Sequence, residues 1–489
     1  MPWLAALERA RTLGDALVVA FACSLAFATC VFGWFAEAIA DYTGAPRAVG
    51  WLALLVIAPV IEPQLFAFAL ARWLARGGRV QAAIAGACGW LGAEWLVPKL
   101  FADSLGHALL PAPWLRQAAD LSGAAGLTLV VLGVNEALWS AGRALAARRT
   151  RSALAPLALA GSLVGALALY GAVRSREVAA EMARAPHLTA GVVQADIARY
   201  GELARGVGQF DAVAAILETH LVLSHAALAR GELDLLIWPE TVYPTTFGAP
   251  KSSDGAAFDR ALGAFVSRTG VPLLFGAYDA EDGREYNAAI LLEPEAAGRV
   301  GFAAYRKAAL FPLTERVPAW LDTPRVRAQL PWLGSWRAPE GGTRILTLTL
   351  AEHSVRVAPL ICYDALDPRL ARAAVRDGAQ IFAMLSNDSW FAVGGGPRLH
   401  LAMAAFRSIE TRRAQLRATP TGISALVLPD GEIAAELPVH ARDALVASAP
   451  LLSGPPTPFV RYGDWIGPLA ALGTPAAVLA RRARRPARV

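Results

Sequence analysis

The sequence predicts a membrane protein in two parts: a transmembrane α-helical bundle and a globular α/β layered domain on the outer side of the membrane. Three observations carry this. Residues 16–36 and 153–173 hold no charged side chain, and each run is long enough to cross a hydrocarbon core that needs about 20 apolar residues. Basic residues cluster beside such runs. From Arg174 onward, short apolar strands alternate with helix-like stretches, as in layered α/β folds. With 55% hydrophobic and 18% charged residues, the composition excludes a disordered or nucleic-acid-tail protein and argues against a wholly soluble chain.

Three further runs, 48–71, 80–98 and 121–142, are as long but contain Glu62, Glu94 and Glu136. A carboxylate at membrane depth costs roughly 2.5 to 3.5 kcal/mol, so each should face protein or a wet, polar path, or be protonated. Hydrogen bonding between helices would serve equally well. A last apolar run, 465–480, ends in Arg481, Arg482, Arg484 and Arg485 and reads as a C-terminal helix with a basic tail. The organisation expected is a bundle over 1–173, a catalytic-type domain over 174–464, and a final helix and tail over 465–489.

The first run is long, lacks a small-x-small cleavage site and is followed by more spans, so it reads as an uncleaved span rather than a signal peptide. Arg9 and Arg11, then Arg72, Arg76 and Arg79, then Arg143, Arg148, Arg149 and Arg151, and finally the tail, all fall on one side if the amino terminus is cytoplasmic. Residues 174–464 then lie outside. The net charge of +6 is therefore an orientation signal and a source of headgroup contacts, not a nucleic-acid surface.

Within the domain, strands are expected at 188–193, 233–238, 271–275, 288–292, 345–350, 355–361 and 381–385, with helices at 208–230 and 400–416. A hairpin turn at Pro429, Asp430 and Gly431 follows a strand at 423–428. Three segments place reactive groups just after apolar strands, where loops assemble sites. These are Trp238-Pro239-Glu240, then Tyr305-Arg306-Lys307 with Glu315 eight residues on, and Ile361-Cys362-Tyr363-Asp364.

A glutamate, a lysine and a cysteine so presented allow acyl transfer through a thioester. Cys362 is the candidate nucleophile and Glu240 the base that takes and returns its proton. Lys307 would lower the thiol pKa and, with a backbone N–H after the cysteine, stabilise the oxyanion. On pattern alone, a strand-end cysteine is more often a small buried hydrophobe, and a lone Lys or Glu a surface charge. The remaining cysteines, Cys23, Cys30 and Cys88, sit in apolar runs, too scattered for a disulfide framework or a CxxC site. His220 and His225 lie five apart without acids in ligand spacing, so no metal is expected. Gly394-Gly395-Gly396 lacks the GK[ST] ending of a phosphate loop and reads as a flexible loop above the site.

These residues resemble the Glu-Lys-Cys triad of the nitrilase (carbon-nitrogen hydrolase) superfamily. The resemblance extends through Leu385-Ser386-Asn387-Asp388-Ser389-Trp390-Phe391, His400, Met403, Arg407, Glu410, Arg417-Ala418-Thr419 and Thr421-Gly422-Ile423-Ser424. With Thr457-Pro458-Phe459-Val460-Arg461-Tyr462-Gly463-Asp464-Trp465 leading into the final helix, the whole resembles the apolipoprotein N-acyltransferase family. The resemblance implies an αββα sandwich, no cofactor, and a multi-pass protein of the bacterial inner membrane with its catalytic domain on the periplasmic side. It implies a phospholipid acyl donor and a diacylated lipoprotein acceptor, with Glu240, Lys307 and Cys362 catalytic and Glu315, Tyr363, Asp364 and Asn387 supporting.

The sequence also departs from that pattern. Asp364 stands where Glu usually follows the Cys-Tyr pair, and Thr314 where a glycine precedes the second acid. No matching tryptophan is evident near 200–210, and Val97-Pro98-Lys99-Leu100-Phe101 replaces a Phe-Pro-Trp element. The first span resembles the third helix of typical members, so an initial helix pair is expected to be absent. Two other readings use the same residues: a membrane-anchored amidase that passes the thioester to water, and a non-catalytic scaffold.

Overall fold

The computed structural model describes residues 2–197, 204, 206, 208–330, 332–341, 345–391 and 394–483. Arg484 and Arg485, and most of the 200–210 segment, lie outside the described residues. The chain divides into two compact units, one of Met1–Ala40, Gly44–Glu177 and Thr457–Val489, the other of Val178–Pro456 with Asp41–Thr43.

The first unit is helical. Leu13–Thr43, Arg47–Ile61, Pro63–Leu74, Arg79–Leu96, Ala119–Ala146, Thr150–Met182 and Ile466–Ala483 are its long elements. Many of their apolar side chains, among them Val18, Phe21, Leu52, Val56, Val60, Leu154 and Leu169, are exposed. Such an outward apolar surface suits lipid, not water.

The run 48–71, expected as one span, is two helices bent by 46°. Pro63 explains the break: its ring disfavours helical geometry at the preceding residue, and Glu62 sits at φ −123° and ψ 54°. All three acids of the spans face protein. Glu62 is fully buried 3.7 Å from the Lys99 ammonium, which also pairs with Asp103 at 2.8 Å. Glu94 accepts from Trp90 Nε1 at 2.9 Å and from Ser104 Oγ at 3.1 Å, and Glu136 is bound by Arg72 across two helices. Lys99, read from sequence as part of a replaced aromatic element, is thus a buried counter-charge.

The second unit is a four-layer sandwich. Its first sheet contains β1 (His187–Gln194), β2 (Leu235–Ile237), β3 (Leu273–Glu281), β4 (Arg284–Pro294), β5 (Val300–Arg306) and β12 (Asp443–Pro450), in the order β12-β1-β2-β3-β4-β5. The second contains β6 (Leu346–Thr349), β7 (Ser354–Ile361), β8 (Ile381–Leu385), β9 (Ala414–Ala418), β10 (Ala425–Val427) and β11 (Ile433–Glu436), in the order β11-β10-β9-β8-β7-β6. Each sheet has a parallel centre, β1-β2-β3 or β7-β8-β9, flanked by antiparallel strands. Mixed strand order was expected.

Strand alternation builds the layers. Leu188, Ala190 and Val192 of β1, Leu235 and Ile237 of β2, and Ile381, Ala383 and Leu385 of β8 share the core between the sheets. Leu236 points the other way, with Val193, into a second core shared with Val213, Ile216 and Leu217 of the helix Gln209–Leu228 and with Phe265. That helix is long and apolar enough to pass for a span, yet its apolar face lies on the sheet. The helix expected at 400–416 ends sooner: Gly396–Thr411 stops where Arg412 turns left-handed at φ 55°, and 414–418 becomes the central strand β9.

Candidate active site

Four strands deliver polar groups at their C-terminal ends, two from each sheet. β2 leads through Trp238 and Pro239 to Glu240, and β5 leads directly to Lys307. β7 leads directly to Cys362, and β8 leads through Ser386 to Asn387 and Asp388. Strand ends of parallel sheets are where α/β folds place ligands.

Lys307 is 2% exposed, and its ammonium donates to Glu240 Oε1 at 3.0 Å and to Glu315 Oε1 at 2.6 Å. A cation so deeply buried is tolerable only with this pairing. Burial alone would push its pKa down, but the two carboxylates hold it well above the ordinary lysine value, so Lys307 is a permanent charge and not a base. Glu240 is itself held on both oxygens: Asn287 Nδ2 donates to Oε1 at 2.8 Å, and the Asn387 backbone N–H donates to Oε2 at 2.8 Å. Glu315 Oε2 accepts from the Phe311 N–H at 2.7 Å. Both acids therefore have fixed geometry.

Two backbone features make room for this. Gly276 of β3 passes so close to the Glu240 turn that a Cβ there would lie 2.4 Å from Thr241 N and 2.5 Å from Glu240 Cα. Cys362 is a non-glycine residue at φ 47°, a left-handed conformation that costs free energy and gathers at functional sites. It opens a tight turn, Cys362–Leu366, that swings the chain away from the end of β7.

Burial pushes the Cys362 thiol above its ordinary value, and the Glu240 carboxylate pushes it further up. Lys307 pulls it down, as expected from the sequence, but does not prevail. The resting thiol is therefore neutral, and a base is required to make it a nucleophile. Burial likewise pushes the Tyr363 hydroxyl up to about 12, while its ring packs against Phe311 at 5.1 Å between centroids.

Of the supporting residues read from sequence, Asn387 acts on Glu240 through its backbone while its side chain accepts from Ser389 N at 3.2 Å and Oγ at 2.6 Å. Asp364 accepts from the N–H groups of Ile361, Ala308 and Ala309. Gly396, read as loop, opens a helix. The two histidines weighed for a metal serve packing: His220 faces Trp238 and His225 faces Phe265, each at 5.2 Å between ring centroids.

Two residues, Asn287 and Gly276, escaped the sequence reading. Asn287 stands just before the strand expected at 288–292 and falls inside the longer strand Arg284–Pro294, among other polar residues that masked it. Gly276 carried no signal without its neighbour. Asp388, His400 and Arg417, named above as part of the resemblance but assigned no role, are buried together beneath the nucleophile. Arg417 Nη2 donates to Asp388 Oδ2 at 2.6 Å, and His400 Nε2 lies 3.3 Å from the Cys362 carbonyl oxygen.

Comparisons with known proteins bear on the family of the chain. The carbon-nitrogen hydrolase family profile matches residues 189–452, and that of the apolipoprotein N-acyltransferase N-terminal domain matches residues 1–137. An apolipoprotein N-acyltransferase of Bdellovibrio bacteriovorus is 30% identical over 90% of this chain and 82% of its own length. One of Geobacter metallireducens is 28% identical over 91% and 82%. The crystal structure of an amidase from Nesterenkonia sp. is 19% identical, covers 57% of this chain and 94% of its own, and has a TM-score of 0.37. The chain belongs to the apolipoprotein N-acyltransferase family and joins its N-terminal membrane domain to a carbon-nitrogen hydrolase domain.

Proposed function

We propose that this chain N-acylates lipoproteins in two steps, taking the acyl group from a membrane phospholipid and passing it to the α-amino group of a diacylglyceryl-cysteine at a lipoprotein's amino terminus. In this reading the chain works in the bacterial inner membrane with its α/β unit on the periplasmic side, as its arginine clusters favour. The observation that carries the reading is the buried Lys307 ammonium shared between Glu240 and Glu315, acting on a neutral Cys362 thiol. It occurs in a chain whose other unit has a lipid-suited surface.

Each residue has a distinct task. Cys362 Sγ attacks the ester carbonyl carbon, and as the C–S bond forms the thiol proton passes to Glu240. Lys307 faces the negative charge that grows on the carbonyl oxygen, a favourable interaction in a buried site. Collapse of the tetrahedral intermediate breaks the ester C–O bond, Glu240 returns the proton to the leaving alkoxide, and a lysophospholipid departs. The acceptor amine then attacks the thioester, giving its proton to Glu240. The C–S bond breaks, and the departing sulfur recovers the proton.

The test is incubation of purified protein with phospholipid labelled in its acyl chains, followed by mass analysis of Cys362. A thioester that is absent from Cys362→Ser and that discharges onto a diacylated lipopeptide is the expected result. Discharge onto water alone would make the chain a hydrolase. Absence of any adduct in the wild type would make it a scaffold.

A further inference from the structure

The buried cluster behind Cys362 has an arrangement that packing alone does not require. Cys362 is held in a left-handed conformation, and its carbonyl oxygen lies 3.3 Å from His400 Nε2. A carbonyl only accepts, so Nε2 carries the hydrogen. On the other side of the ring, Nδ1 lies 3.2 Å from Arg417 Nη2 and 3.3 Å from Asp388 Oδ1. Arg417 only donates and an ionised Asp388 only accepts; because burial and Arg417 push the imidazole below its ordinary value, the ring carries one hydrogen, and with that hydrogen on Nε2 its Nδ1 accepts from Arg417.

The surroundings lock that ring. Asp388 accepts from Arg417 Nη2 at 2.6 Å and from Ser386 Oγ at 2.6 Å, and Arg417 Nε donates to the Ile423 carbonyl at 3.1 Å. Burial alone would raise the Asp388 pKa, but Arg417 holds it below the usual carboxylate range. For His400, burial and then Arg417 push the imidazole below its ordinary value. Gly422 leaves the space: a Cβ there would lie 2.3 Å from Asp388 Oδ2.

The peptide that His400 grips is the one joining Cys362 to Tyr363. It is planar and trans, like every peptide bond among the described residues, so its carbonyl and its N–H point in opposite directions. Holding the Cys362 oxygen toward His400 therefore aims the Tyr363 N–H the opposite way. We propose that His400 is a positioning residue for acyl transfer: through the Cys362 carbonyl it orients and polarises the Tyr363 N–H as the donor that meets the oxyanion, opposite Lys307. This rests on the acyl-transfer reading above. The same cluster reaches the base, because Asp388 follows Asn387, whose N–H holds Glu240.

Two reactions of the same thiol separate orientation of the N–H from support of the cysteine. Alkylation by iodoacetamide forms a C–S bond and expels iodide with no oxyanion, whereas acylation by p-nitrophenyl octanoate or by phospholipid passes through one. Both are read at Cys362 by intact mass in the full-length protein. His400→Leu removes the Nε2–H, and His400→Gln offers an amide N–H at nearly the same reach. The expected result is acylation slowed on the order of 100-fold in His400→Leu, with alkylation at pH 8 little changed and acylation in His400→Gln close to the wild-type rate.

Equal slowing of alkylation and acylation, or wild-type acylation in His400→Leu, would overturn the proposal. If His400→Leu does not fold, a folded His400→Gln as slow as 100-fold below wild type overturns it equally. A wild-type protein that forms no adduct with either acyl donor defeats the acyl-transfer reading instead, because alkylation still reports an intact thiol.

Discussion

The Tyr305 hydroxyl donates to Asp364 Oδ2 at 2.9 Å, tying the residue two places before Lys307 to the residue two places after Cys362. The same carboxylate accepts from Ile361 N at 2.9 Å, Ala308 N at 3.1 Å and Ala309 N at 2.6 Å. Asp364 is thus a clamp between the two sheets, filled by its own neighbours. Asp364→Asn turns one acceptor oxygen into a donor that faces other donors, and each buried group left unpaired costs about 1 to 3 kcal/mol. Lower thermal stability together with slower thioester formation is expected. Asp364→Glu, which restores the longer acid, adds a methylene to a filled site and is expected to cost about 1 to 3 kcal/mol as well. A Glu variant that matches or exceeds the parent in both measurements would show that the clamp has slack.

The clamp also marks how far the sequence could be read. Glu240, Lys307 and Cys362 were legible because each follows an apolar strand, a local pattern, and the αββα layers follow from strand alternation. What the sequence could not reveal depends on pairs distant along the chain. Asn287 meets Glu240 across two strands, and His400 meets the Cys362 carbonyl from a helix that begins 34 residues later at Gly396. The strand β9 was hidden because Arg412, an ordinary helix former, takes a left-handed conformation that only the packed structure stabilises. Similarly, the hydropathy of Gln209–Leu228 resembles that of a span, and only the sheet beneath it decides its place.

The neutral thiol yields a prediction with opposite signs for two reactions. Burial and then the Glu240 charge hold the Cys362 pKa above its ordinary value, so the thiolate fraction grows as pH rises. Alkylation of Cys362 should climb about tenfold per pH unit from 7 to 9, with no plateau. Glu240→Gln removes a negative neighbour and lowers the thiol pKa, so it should speed alkylation at pH 8. The same substitution removes the base and should slow acylation on the order of 100- to 10,000-fold. Slower alkylation in Glu240→Gln would mean that the glutamate organises the site more than it opposes the thiolate.

Gly276→Ala tests how closely the Glu240 turn must be approached. The new Cβ would meet backbone atoms of Pro239, Glu240 and Thr241 at 2.4 to 2.6 Å, none of which is a flexible side-chain end. Either β3 or the Glu240 turn must move. Overpacking of this kind costs about 1 to 3 kcal/mol, and a displacement near 1 Å at a catalytic group can cost on the order of 100-fold in rate. Thioester formation should therefore fall further than the unfolding midpoint alone would suggest. Unchanged acylation with a lowered midpoint would show that β3 yields and the glutamate stays.

His220 adds acid sensitivity to the α/β unit. Its ring is buried against Trp238, its Nδ1–H donates to the Ile216 carbonyl at 2.8 Å, and its Nε2 finds no hydrogen-bond partner among the described residues. Burial drops its pKa from 6.5 to about 4. Between those values the unfolded chain binds a proton that the folded chain does not, so stability rises with pH through the window and is lost as pH falls from about 6.5 to about 4. The full shift corresponds to up to about 3 kcal/mol. His220→Phe keeps a ring against Trp238, gives up one hydrogen bond and removes both the titration and the unpartnered nitrogen. Its unfolding midpoint, followed by circular dichroism in detergent, should lie near that of the parent at pH 7.5 and above it at pH 4.5. Parallel pH dependence in the two proteins would place the acid sensitivity elsewhere, as at His400, whose imidazole burial also pushes below its ordinary value.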